Sequence, residues 1–234
     1  MKVAILADIH ANIHALDAVL NDCRKEVVEH FIVAGDLIGY YYWPKSVVQR
    51  LMHDARVTCI RGNHEELLAQ TLESAAAAER YRQKYGSGYD VCRETLGGEE
   101  MQWLLRLPTS TELTLCGTHF SVHHGSPAAV DEYIYPDAPP EVLARCHSGL
   151  HFTVLGHTHY PFIHCLDGRV LLNPGSVGQP RDMGGQASYA LVDLDNHAVR
   201  FKRVPFDVTR VVAAAQVRDP ELGYLHRIMA RGAQ

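Results

Sequence analysis

Five short apolar runs in this chain each stop at a cluster of polar residues. Residues 3–7 lead into Asp8-Ile9-His10, and Phe31-Ile32-Val33-Ala34 leads into Gly35-Asp36. Residues 57–60 lead into Gly62-Asn63-His64-Glu65, residues 118–122 into His123-His124-Gly125, and residues 152–155 into Gly156-His157-Thr158-His159. Short apolar runs bounded by turn signals read as buried strands. In the first third they alternate with helical patterns. Ala15, Leu16, Val19, Leu20 and Cys23 share one helical face, and a second helix is expected over residues 46–52 behind Pro44. Strands separated by helices predict βαβ units and a parallel sheet. Ligands of open α/β sheets bind beyond the carboxyl ends of the strands, so all five clusters are expected on one rim.

Residues 65–107 break the alternation. Residues 65–85 are rich in Ala, Glu, Gln and Leu and favour helix. Gly86-Ser87-Gly88 interrupts them, and further helical stretches are expected at 89–96 and 99–107, stopped by Pro108. The expectation is one domain over residues 1–234 with a helical insertion at about 65–107, either a cap over the rim or plain helical packing. The second half is strand-rich. Hairpin turns are expected at Cys116-Gly117, Asp167-Gly168 and Asp195-Asn196-His197, and a terminal helix at about residues 220–231.

Composition removes several classes. Hydrophobic residues are 47% of the 234, which excludes wholesale disorder. No run approaches 18 apolar residues, so no membrane-spanning helix is expected. The net charge of −5 argues against general nucleic-acid binding. The first eight residues meet a carboxylate too early for an export signal, which points to the cytoplasm. The six cysteines form no C-x-x-C pair and read as reduced thiols. Histidine, with fifteen copies, is unusually frequent. His14, His30, His53, His119, His147, His151, His164, His197 and His226 have no motif context and read as surface or core residues.

The clusters supply two Asp, one Asn and several His as oxygen and nitrogen donors, with no thiolate among them. That donor set suits manganese, iron, zinc or nickel. Seven groups exceed the three protein ligands of a single catalytic zinc. Two ions roughly 3.5–4 Å apart form a common phosphoester-hydrolysing device.

Together these motifs resemble the calcineurin-like metallophosphoesterase superfamily over residues 1 to about 205. Asn173-Pro174-Gly175-Ser176, the continuation through Asp182 and Gly35-Asp36-Leu37-Ile38-Gly39-Tyr40 look most like its small bacterial and archaeal phosphodiesterase-type branch. The resemblance implies an α/β fold, a four-layer αββα sandwich, around a dinuclear centre. One divalent ion would take Asp8, His10, Asp36 and His159, the other Asp36, Asn63, His124 and His157, with Asp36 bridging. Manganese is the leading choice, with iron, nickel, cobalt or zinc also compatible. His64 and Asp36 would be the catalytic residues. A metal-activated hydroxide would attack a phosphodiester, and His64 would protonate the leaving alkoxide. Asn63 and Arg181 would meet the substrate, a small-molecule phosphoester or nucleotide. Arg181 lies in a Gly/Pro-rich loop, and its alternative is a plain surface arginine. The alternatives for function are a phosphomonoesterase or nucleotide pyrophosphatase on the same site and, from another class, a noncatalytic scaffold. A monomer and a homo-oligomer are both compatible.

One departure matters. Protein phosphatases of the superfamily continue the second motif as G-D-x-x-D-R-G, and the Asp orients the catalytic His. Gly39 and Tyr40 stand at those positions here, which disfavours protein phosphatase and symmetrical dinucleoside tetraphosphatase activity. His123 should face away from His124 along a strand. Asn12 and Asn173 read either as groups orienting ligands or as cap and turn residues. Tyr40, Tyr41, Tyr42 and Trp43 read either as a base-stacking wall or as buried packing.

Overall fold

Alternation along the first strands fixes the layering in the computed structural model, which describes residues 1–196 and 198–232. On β1 (Lys2–Leu6), Val3 and Ile5 point to one side and Ala4 and Leu6 to the other, and all four are fully buried. Parallel strands covered on both faces show this continuous apolar pattern. β1 pairs in parallel with β2 (His30–Ala34), which pairs in parallel with β3 (Val57–Ile60). β9 (Gln186–Asp193) runs antiparallel along the other edge of β1 and carries β10 (Ala198–Pro205). The sheet order is β10-β9-β1-β2-β3. The expected parallel sheet is therefore mixed, because the chain returns late to cover the β1 edge by a hairpin.

A second sheet has the order β4-β5-β6-β8-β7. It contains β4 (Ser110–Leu115), β5 (Thr118–His123), β6 (Phe152–Val154), β7 (Pro161–Leu166) and β8 (Arg169–Pro174). Val3, Ile5, Ile32 and Ile60 of the first sheet form one apolar cluster with Phe120, Val122, Val154 and Leu172 of the second. This cluster is the core between the sheets. The outer face of the first sheet, with Leu6, Phe31 and Val33, packs on α1 (Ile13–Lys25) and α2 (Pro44–Met52) through Leu16, Val19, Val47 and Leu51. The outer face of the second sheet is covered by a smaller cluster that includes Leu143 of α7 (Pro140–Arg145). The result is an αββα sandwich with one thick and one thin helical layer. No described helix is long and apolar enough to cross a membrane.

Residues between β3 and β4 form four helices: α3 (Asn63–Glu73), α4 (Ala75–Tyr85), α5 (Gly88–Thr95) and α6 (Gly98–Arg106). The stretch expected as one helix over 65–85 is broken at Ser74. Its extended backbone ends α3, and its hydroxyl accepts from Ala77 N to start α4. The terminal helix expected at about 220–231 is shorter, α9 (Tyr224–Arg227), followed by a 3-10 turn. A longer helix outside the expected elements precedes it, α8 (Val208–Arg218). Asp207 caps it through Thr209 N, and Val211 and Ala215 bury its inner face. The turns at Cys116-Gly117 and Asp167-Gly168 both use left-handed backbone, as tight hairpins require. Of the turn expected at Asp195-Asn196-His197, His197 lies outside the described residues.

Candidate metal centre

The five polar clusters lie at the carboxyl ends of β1, β2, β3, β5 and β6 on one rim, in loops except where Asn63, His64 and Glu65 open α3 and His123 closes β5. Their backbone is unusual. Asp8 (φ 56°), His10 (φ 50°), Asp36 (φ 55°), His157 (φ 69°) and His159 (φ 65°) all adopt the left-handed region. Non-glycine residues rarely do so, at about 1–3 kcal/mol each. Hydrogen bonds between loops hold them. Asp8 N donates to Gly35 O (3.1 Å), His10 N to Asp36 O (3.0 Å), Ala11 N to Leu37 O (2.8 Å) and Gly178 N to Asp8 O (2.9 Å). The loops after β2 and β3 touch, since a Cβ on Gly35 would lie 2.6 Å from Gly62 N. Asn12 caps α1 by accepting from Ala15 N and also donates to Gly178 O. Asn173 donates to Gly156 O and Thr158 Oγ1 and accepts from Gly175 N, which braces the histidine loop after β6. Asn12 is thus a helix cap and Asn173 a turn residue, and each also ties neighbouring loops together through backbone groups.

Glu65 is the residue whose part the sequence did not disclose. Its fully buried carboxylate accepts four backbone N–H bonds. Oε2 takes Asp36 N (3.0 Å) and Gly62 N (2.6 Å), and Oε1 takes Leu37 N (2.8 Å) and Ile38 N (3.2 Å). Burial and the charge of Asp36 push this carboxyl up to about 7, and the N–H bonds oppose that shift. Four donors converging on two oxygens need an ionised acceptor. Glu65 therefore clamps the Asp36 loop to the start of α3.

The side chains so placed form two buried triads without a common member, Asp8/His10/His159 and Asp36/His124/His157, and a third, His10/Asp36/His64, overlaps both. Asp36 joins them, with Oδ2 3.2 Å from His124 Nε2 and 3.9 Å from His10 Nε2. Asn63 Oδ1 lies 3.0 Å from His124 Nε2, so it belongs to the second group. Three histidines are fixed from behind: Nδ1 bonds to Ile38 O in His10, to Ala34 O in His124 and to Gln179 O in His159. Metal-ligating histidines have this arrangement, which fixes the tautomer and turns an Nε2 lone pair inward. Burial holds His10 and His159 well below the usual imidazole range. Their Nε2 atoms are nevertheless 3.0 Å apart. With both Nδ1 protons committed, neither nitrogen has a proton to share, and the contact calls for a cation. Two nitrogens each about 2.1 Å from one ion are about 3 Å apart when they meet at a right angle. His157 Nε2 is buried with no hydrogen-bond partner, as an unfilled ligand would be. Asp8 points the same way: burial, aided by Asp36, pushes its carboxyl up to about 8.

His64, at the start of α3, lies against both groups, with Nε2 4.0 Å from Asp36 Oδ2. Burial lowers it to about 4. Its ring is enclosed by His10, Tyr40, Tyr85 and Tyr89. Arg181 is half-buried, and its charge is felt at Asp8, His64 and His157. Its neighbour Asp182 pairs with Arg203. Lys84, which belongs to no sequence motif, also acts on His64. It lines a cavity of about 370 Å³ beside Asn63 and His157, with Gln70, Tyr85 and Tyr133. The helical insertion thus forms one wall of the site. A cavity of about 440 Å³ between α4 and Pro220 touches none of the clustered residues. Arg61 turns away, toward Leu105 O and Glu66. The aromatic run is packing: Tyr41 donates to Leu225 O and Tyr42 to Asp219, although the Tyr40 ring also borders His10. His123 bonds to Ser121 Oγ, outside the cluster. None of the described histidines without motif context joins either triad.

Comparison with known proteins agrees with this geometry. The family model described as the calcineurin-like phosphoesterase superfamily domain matches residues 1–197. A metallophosphoesterase from Sphaerobacter thermophilus has a similar structure, with a TM-score of 0.79 and 29% identity, covering 98% of this chain and 99% of that one. A hypothetical protein from Pyrococcus horikoshii shares the fold at a TM-score of 0.82 and 24% identity, covering 100% and 99%. An uncharacterized protein of Methanocaldococcus jannaschii is 30% identical over 228 residues, 89% of each chain. The chain therefore belongs to the calcineurin-like phosphoesterase superfamily, a metal-dependent family of hydrolases acting on phosphoric esters.

Two outcomes follow from the geometry. In Glu65→Gln, either amide orientation sets an NH₂ group against two backbone N–H donors. Stability is expected to fall by about 2–6 kcal/mol, about 1–3 for each unsatisfied donor, in urea unfolding, with reduced metal uptake. An unchanged midpoint would remove Glu65 as the clamp. Metal binding must also displace protons. His124 opposes its own burial through Asp36 and is raised to about 10, so with Asp8 it holds a proton at pH 7 in the metal-free protein. Both pKa values lie above 7, so affinity rises with pH, about tenfold per unit for each proton displaced. Titration calorimetry in buffers of different ionisation enthalpy should show proton release. Buffer-independent heats would contradict it.

Proposed function

We propose that the protein is a phosphodiesterase for small phosphoesters or nucleotides, with two divalent metal ions at this centre. Asp8, His10, Asp36 and His159 hold one ion, and Asp36, Asn63, His124 and His157 hold the other. Manganese is the leading choice for these nitrogen and oxygen donors, and iron, nickel, cobalt or zinc fit the same set. The observation that carries the reading is the pair of buried triads joined at Asp36, with histidine lone pairs turned inward. Bound there, the ions supply a hydroxide near neutral pH and neutralise charge on the phosphoryl oxygens.

The chain's own groups do the rest. His64, lowered to about 4 and so neutral in the substrate-free site at pH 7, takes up a proton with the anionic substrate and gives it from Nε2 to the leaving alkoxide, worth about 10²–10⁴-fold. The Arg181 guanidinium, free of Asp182, binds a phosphoryl oxygen pair. Asn63 turns its amide oxygen to an ion and its NH₂ group to the substrate. The cavity beside His157 receives the second esterified group of a diester. Lys84 on that wall favours a second reading, a phosphomonoesterase or nucleotide pyrophosphatase, because a more highly charged substrate gains from a second cation. Six unpaired cysteines, four of them buried, support a cytoplasmic location.

The test is a metal-reconstituted activity panel of bis-p-nitrophenyl phosphate, p-nitrophenyl phosphate, cyclic nucleotides and dinucleoside polyphosphates. Higher kcat/KM on diesters is expected. A preference for monoesters would establish the second reading, and inactivity on every substrate with every metal would overturn both. His64→Ala should lose about 10²–10⁴-fold in kcat on a poor leaving group while metal content stays intact. Loss of metal in that variant would make His64 a ligand instead.

A further inference from the structure

We infer that Tyr89, a residue of the helical insertion, is the positioning residue for His64. This rests on the reading of His64 as the proton donor. The Tyr89 hydroxyl lies 2.6 Å from His64 Nδ1. The tyrosine is buried, and His64 is its hydroxyl's only hydrogen-bond partner among the described residues. The two rings stack at 26° with centroids 5.8 Å apart, so the contact fixes the ring plane as well as one nitrogen. Tyr40, Tyr85 and His10 border His64 by ring contact alone.

The sequence has no carboxylate to orient His64 from position 39, and the structure shows that no side chain fits there. Gly39 has φ +90°, and a Cβ on it would collide with His64 Nδ1. The imidazole occupies the room that an orienting side chain at position 39 would need, and α5, which packs on the same loop where Gly88 meets the Tyr40 backbone, brings a phenol to the same nitrogen.

A phenol can serve both protonation states of the ring. When His64 is an imidazolium, Nδ1–H donates to the Tyr89 oxygen. After Nε2 passes its proton to the leaving oxygen, Nδ1–H still donates to the same oxygen, and the phenol gains and loses nothing. When the ring carries its single proton on Nε2, the hydroxyl reverses and donates to Nδ1. In each case Nε2 stays aimed at Asp36 and the triads. Removing a partner that orients a catalytic or ligating histidine typically costs 10–100-fold.

The experiment compares the metal-loaded wild type, Tyr89→Phe, His64→Ala and the double variant on two diesters. One has a nitrophenyl leaving group, which departs without a proton, and the other an alkyl leaving group, which needs one. Tyr89→Phe keeps the ring and its packing. It is expected to lower kcat on the alkyl diester about 10–100-fold, with KM and metal content unchanged and little loss on the nitrophenyl diester. In the His64→Ala background the same substitution should add nothing. Equal losses on both diesters, or full additivity with His64→Ala, would overturn the role of Tyr89. If His64→Ala itself loses no more on the alkyl than on the nitrophenyl diester, the underlying reading of His64 fails instead. Should Tyr89→Phe not fold, long-range ¹H–¹⁵N spectra of wild-type histidine nitrogens decide. A hydrogen-bonded Nδ1 signal for His64 supports the contact, and a free Nδ1 removes it.

Discussion

Two carboxylates and four inward-facing histidine nitrogens cannot share one dry volume without added positive charge. Asp8, Asp36, His10, His124, His157 and His159 are all buried. Three of the histidines have committed Nδ1 to a backbone carbonyl. In the metal-free chain the charge is met by retained protons, which is why Asp8 and His124 are both pushed up. Burial alone would move a histidine the other way. The rest of the rim serves this constraint. Left-handed backbone aims the donors, Glu65 ties two loops together, and the crossings between loops keep the strained residues from relaxing. Strain of this kind persists only where the surrounding structure over-determines it.

The fold explains why those donors can come from residues far apart in the chain. All five strands that end on the rim bury residues between the sheets, so their registers are set by the apolar core. The site is then the meeting of two sheet edges. Asp8, Asp36 and Asn63 arrive from one sheet and His124, His157 and His159 from the other. Separating the sheets would dismantle both triads at once.

Much of this was legible because spacing carries it. An apolar run followed by Asp-x-His, Gly-Asp or Gly-His-x-His locates a strand end and its donors together, and all seven proposed ligands lie on the rim. What escaped had no such code. Tyr89 lies 25 residues from His64 on another helix, and a tyrosine among eleven in the chain carries no mark of its partner. Lys84 reads as an ordinary helical lysine until α4 folds over the site. Glu65 was visible within its motif, but four backbone donors are invisible in sequence because every residue has the same backbone. The break at Ser74 was hidden by good helix formers on both sides, and only its capping hydroxyl hinted at it. The helix from Val208 had a readable signal in Asp207 followed by apolar residues at helical spacing.

The central claim is that the two triads are two metal sites sharing Asp36. The most direct measurement is anomalous diffraction from crystals of the metal-loaded protein, with data on both sides of the metal absorption edge. Two peaks are expected, one among Asp8, His10 and His159 and the other among Asn63, His124 and His157, with Asp36 between them. A single peak, or metal density away from these residues, would contradict the account.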